Sequence, residues 1–196
     1  VFPVGGVGAM LLASGAAGLV ALLLAVLLRR RLGWVAALAF GGLLWSLAVI
    51  AAVTLLPMYV RSGYIPAEEA QTVCSFDIGG PAPDGFWIFG GTQRTLNTLA
   101  FVPAGICLAV FLARWRWWAL VTIPIGTAML VGYSFLIEIT QLELARLDRA
   151  CDVTDIIDNS AGALIGAILG LLLLPLLRPW RGRPAKSPGG RLPPRP

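Results

Sequence analysis

Histidine is absent from this chain, which removes the usual general base at neutral pH and the commonest metal ligand from any mechanism. Charge is scarce as well: 13% of the 196 residues are charged, against about 25% in an ordinary soluble domain. Three cysteines are too few for a disulfide framework. Chemistry on this chain must therefore draw on carboxylates, Arg, Lys, Tyr, Cys or hydroxyls. The net charge is +5, but the cations stand at the ends of apolar runs, so nucleic acid is not the expected partner.

Apolar residues fill the space that the missing charges leave. They make up 58% of the chain, and the mean hydropathy is +0.83. Runs approaching or exceeding the roughly 20 residues that cross a bilayer recur at 7–28, 34–60, 96–113, 119–140 and 153–177. The expected fold is an all-α polytopic transmembrane bundle of about five spans. Pro57 is expected to stop or kink the second. The segments between are 29–33, a long loop at 61–95, a short turn at 114–118 and a polar stretch at 141–152. From Arg178 onward the tail is basic and rich in Pro and Gly, and is expected to be disordered.

Charge segregation gives the expected orientation. Arg29, Arg30, Arg31, Arg114, Arg116 and the tail cations fall on one side, and the acids fall on or near the other. This predicts an N-terminus outside and a cytoplasmic C-terminus. The first span has no basic region before it, so it reads as an anchor rather than a cleaved signal peptide. Cys107 lies within a span and reads as a small core residue. Cys74 and Cys151 share the outer side, where a disulfide or two unpaired thiols are the two readings.

Six of the ten acids crowd into 138–158: Glu138, Glu143, Asp148, Asp152, Asp155 and Asp158. Ionisable residues beside membrane spans are expensive and mark sites or ion pairs. In the last span Asp152, Asp155, Asn159, Gly162 and Gly166 follow helical spacing and form one stripe. Asp152 with Asp155 also reads as an N-cap with an acid at N3, and Gly162-x-x-x-Gly166 as a helix-packing motif. Glu138 and Gln141 share a face of the fourth span, where Arg94, Arg146 or Arg149 is an available counter-ion. Asn97 and Phe101 share a face of the third, above Pro103. Three helices are thus expected to bring Asn97, Phe101, Glu138, Gln141, Asp152, Asp155 and Asn159 together near the outer leaflet, with Arg149 above them.

The ordered segments N-T-L-A-F-V-P-A-G (97–105), I-E-I-T-Q (137–141) and R-A-C-D-V-T-D-I-I-D-N-S-A-G-A-L-I-G (149–166) resemble the VanZ-like family of small bacterial membrane proteins. The resemblance covers about residues 34–177. It leaves 1–33 as an added N-terminal helix with a basic turn, and 178–196 as a basic cytoplasmic tail. The family takes its name from a protein associated with resistance to teicoplanin, a lipoglycopeptide. The resemblance implies a multi-pass protein of the bacterial cytoplasmic membrane.

Three functions compete. In the first, an outward polar site engages a lipid headgroup, a lipid-linked cell-wall precursor or a lipophilic glycopeptide. Arg149 and Arg94 would hold phosphate, with Phe86 and Trp87 at the interface. In the second, Glu138, Asp152 and Asp155 hold a divalent cation for a lipid-directed enzyme. The third is a lipid transporter, for which no inverted repeat is visible. Whether a cofactor binds, and the oligomeric state, are left open by the sequence.

Overall fold

A computed structural model describes residues 6–56, 73–76, 78, 92–143 and 151–182. Five helices carry the fold: α1 (Gly6–Leu32), α2 (Trp34–Leu55), α3 (Thr92–Leu112), α4 (Ala119–Glu143) and α5 (Val153–Leu177). Among the described residues four stretches are long and apolar enough to cross a membrane: Gly6–Leu32, Trp34–Leu55, Gln93–Glu143 and Val153–Leu177. The third is 51 residues long and contains both α3 and α4. It folds back at a 3-10 turn, Ala113–Trp118, so that Gly126 of α4 lies against Leu108 and Leu112 of α3.

Local chemistry explains the ends. Gly33 alone joins α1 to α2, at φ 80 and ψ 157, a region that essentially only glycine occupies. The two helices then run antiparallel. Gly41 faces Ala21 and Ala25, and Trp45 donates from Nε1 to the Ser14 carbonyl at 2.9 Å. α2 stops at Leu55, two residues before Pro57, in line with the restriction a proline imposes on the residue preceding it. α5 begins at Val153, as the pattern predicts. α3 begins at Thr92, earlier than the run from 96, because Arg94 is neutralised inside the bundle rather than left in the loop. The tail also departs from expectation at its start. Arg178 closes α5 in a left-handed conformation, and Pro179–Gly182 form a further 3-10 turn.

The core sits where α2, α3, α4 and α5 meet, around Leu43, Ile50, Phe101, Leu108, Leu130 and Ile137. Tyr133 reaches across it, donating to the Leu47 carbonyl at 2.8 Å. α1 remains peripheral: it packs on α2 and exposes Leu11, Leu12, Leu19 and Leu27. Exposed leucine in this quantity suits a lipid-facing helix.

The tightest contact is between α3 and α5, which run parallel. A Cβ added to Gly162 would meet the Thr98 carbonyl, one at Gly166 the Val102 carbonyl, and one at Gly170 the Ile106 carbonyl. Glycine is required because backbone, not side chain, fills the space. The stripe expected at Gly162 and Gly166 thus extends one further turn, to Gly170.

Candidate functional site

The register that seats these glycines also builds an ion pair. Arg94 lies one turn before Thr98, and Asp158 one turn before Gly162. Their separation of 64 residues matches that of each glycine from the carbonyl it faces. Arg94 donates from Nε to Asp158 Oδ2 and from Nη2 to Oδ1, both at 2.8 Å. The side chains are 11% and 0% exposed. Such a two-pronged geometry suits the planar guanidinium and makes the fork rigid. Thr98 returns its hydroxyl to the Arg94 carbonyl at 3.0 Å, fixing the same turn.

Beside this fork stands the start of α5. Asp152 is its N-cap, accepting from the Thr154 amide at 2.8 Å, and Asp155 occupies the first turn. The capping reading of these two acids therefore holds. Glu138, buried near the end of α4, accepts from the Asp152 amide at 3.1 Å. Its partner among the described residues is thus a backbone N–H; Arg94, one of the expected counter-ions, is instead engaged by Asp158. Asn159 donates to Ser134 at 2.9 Å and ties α5 to α4. Gln141 donates to the Thr54 carbonyl at 3.1 Å and ties α4 to α2.

A covalent strap closes this end. Cys74 and Cys151 form a disulfide. Next to it Ser75 donates its amide to the Cys151 carbonyl at 2.9 Å and accepts from the Val153 amide at 3.0 Å. The disulfide reading is thus the one the fold adopts, and it holds residues 73–76 against the N-terminus of α5.

Two polar atoms in this cluster are left over. Asn97 Nδ2 and Gln141 Oε1 are buried and have no hydrogen-bond partner among the described residues. Asn97 and Gln93 flank Asp155, yet Asn97 closes no bond of good geometry with it. Among the described residues no group of three or more His, Cys, Asp or Glu is placed to hold a metal ion.

A family profile described as VanZ/LLP1 matches residues 44–174, two thirds of the chain. The chain belongs to the VanZ/LLP1 family. No curated protein and no solved structure matches it. The match takes in α3, α4 and nearly all of α5, and with them every described member of the polar cluster.

Within this VanZ-like region the expected residues divide. Asn97, Glu138, Gln141, Asp152, Asp155 and Asn159 gather at one end of the bundle, from three helices, as the stripes require. Phe101 is 1% exposed and packs against Tyr133, so it forms the floor beneath the cluster. Arg149 and Arg146 lie outside the described residues, as do Phe86 and Trp87. Arg94 is not held free for phosphate, since Asp158 occupies its fork. Asp158, Thr98 and Ser134 were not among the expected site residues. The stripe through Asp155 and Asn159 does not contain Asp158. The alternative line at intervals of four, through Asp158, Gly162, Gly166 and Gly170, contains it.

Proposed function

We propose that this VanZ-like protein is a membrane-embedded binding module whose polar end takes the headgroup of a lipid-linked cell-wall precursor or of a lipophilic glycopeptide. The observation that carries the reading is a pair of buried atoms without a hydrogen-bond partner among the described residues, Asn97 Nδ2 and Gln141 Oε1. A buried polar atom without a partner costs about 1–3 kcal/mol, and in hydrocarbon no solvent offsets that cost. Such atoms call for a ligand or an ordered water. One is a donor and the other an acceptor, which suits a hydroxyl- or amide-bearing headgroup. Asp155 adds charge beside Asn97.

The reading includes five crossings with this end outside. The disulfide between Cys74 and Cys151 supports that placement, because disulfides persist on the oxidising side of a membrane. The arginines at the opposite end support it through the charge rule.

The test separates ligand groups from packing groups. Wild type, Asn97→Leu and Gln141→Leu are expressed at matched membrane abundance in a susceptible Gram-positive host, and teicoplanin and vancomycin are titrated. Wild type is expected to raise tolerance to teicoplanin selectively. Asn97→Leu should keep the fold, since it removes an unsatisfied atom, yet lose protection. Gln141→Leu also gives up the bond to the Thr54 carbonyl, so its loss of protection counts only where its melting stays close to wild type. Unchanged protection in stable variants would make these side chains packing elements. No protection by wild type would remove the glycopeptide reading.

A further inference from the structure

A sizeable hollow lies away from the polar cluster, at the opposite, basic end. It is a groove of about 540 Å³ between the start of α4 and the end of α5, walled by Leu120, Ile123, Pro124, Leu171 and Leu174. That volume falls within the ~300–1,000 Å³ usual for small-ligand sites. One cation lines it: Arg116, exposed, with a guanidinium that has no hydrogen bond or ion pair among the described residues. Two indoles frame it, Trp117 at 80% exposure and Trp180 from the 3-10 turn beyond α5. Tryptophan settles at the headgroup level of a bilayer.

The backbone at Arg116 points the same way. It sits at φ 50 and ψ −99, close to the first central position of a II′ turn, where glycine is the favoured residue. An arginine held in such a conformation is strained, and strain of this kind gathers at functional positions. The dipole of α4 adds to its charge, because that helix begins three residues later. Two carbonyls at the end of α5 are already engaged elsewhere. Those of Leu174 and Pro175 accept from the amide and Nε of Arg178.

We propose that this groove binds an anionic glycerophospholipid, with one acyl chain along the apolar wall and the phosphate on Arg116. Charge complementarity selects this occupant over a zwitterionic lipid, since Arg29, Arg30, Arg31 and Arg114 crowd the same end without a described acid among them. Basic pockets between transmembrane helices hold anionic headgroups in this way.

The test uses the full chain in nanodiscs of equal phosphatidylglycerol and phosphatidylcholine, with retained lipid counted by native mass spectrometry. Wild type should retain phosphatidylglycerol in excess of its share. Arg116→Gln should cut that excess about five-fold, the effect of one cation near a headgroup. Arg116→Lys should keep most of it. Arg116→Gly should lose it while melting no lower than wild type, because glycine relieves the turn. Leu120→Trp fills the groove and leaves every charge in place, so it should lower retention of both lipids. A wild-type ratio equal to that of the bilayer, or an unchanged ratio in Arg116→Gln, overturns the proposal. If Arg116→Gln does not fold, full retention in Leu120→Trp overturns it instead.

Discussion

Removing one member of the Arg94–Asp158 fork should harm this protein more than removing both. Two charge-assisted bonds of 2.8 Å join side chains that are almost fully buried. Breaking a buried pair from one side leaves an uncompensated charge and costs about 3–5 kcal/mol. Arg94→Met and Asp158→Leu should each fall in that range. They should not be equal, because Asp152 and Asp155 also lie within electrostatic reach of Arg94. Its removal strands three acids, whereas loss of Asp158 leaves the guanidinium with two, so Arg94→Met should be the worse. Independent costs would sum to roughly 6–10 kcal/mol in the double variant. Replacement of a whole buried pair by apolar residues is often near neutral, so the double variant should return to within about 2 kcal/mol of wild type. Unfolding in mixed micelles, followed by tryptophan fluorescence, gives all four corners of the cycle. Singles within about 1 kcal/mol of wild type, or a double as poor as the sum, would refute the idea that this pair fastens α3 to α5.

Gly162→Ala should destabilise by about 1–3 kcal/mol, since its Cβ meets the Thr98 carbonyl and overpacking costs that much. Gly132→Ala, with nothing within 4 Å, should be neutral or up to about 1 kcal/mol stabilising in the same assay. Reduction of the Cys74–Cys151 disulfide, or Cys74→Ser, should lower stability by about 2–4 kcal/mol. It should also raise protease access near residue 75; unchanged digestion would argue against a strap. Asp152→Ala should cost about 1 kcal/mol through the lost cap of α5, with Asp152→Asn or Asp152→Ser close to wild type. Equal losses in all three would mean that charge at this position, not capping, carries the effect.

The helical class was plain in the sequence, because bilayer-length apolar runs have few other uses. So was the start of α5, where Asp152 and Asp155 carry a cap signature written in adjacent residues. Pairings between helices were harder. Nothing local in R-T-L-N announces that Arg94 enters α3 and meets an acid 64 residues on. That choice depends on the close approach of α3 to α5, which the glycines permit but do not aim. Asn97, Glu138 and Asn159 were legible because polar residues inside apolar runs stand out. Asp158 stood out less, as one acid among several. In the sequence Arg116 is one topological charge among several. Its positive φ arises from the α3–α4 corner, and no residue-level preference points to it.

The distance along the chain between Arg94 and Asp158 bears on how the protein is made. At about 5–20 residues per second, the ribosome needs on the order of 3–13 s to supply the 64 residues that separate them. During that interval the partner of Arg94 has not been synthesised. Arg94 lies in the first turn of α3, close enough to the end to rest among headgroups until α5 arrives. Docking of α5 supplies Asp158 to the guanidinium and seats the glycines on α3 in the same register. A nascent chain that stops short of α5 keeps an arginine with no counter-ion from that helix and an unfilled groove along α3, and so exposes a mark of incompleteness to membrane quality control.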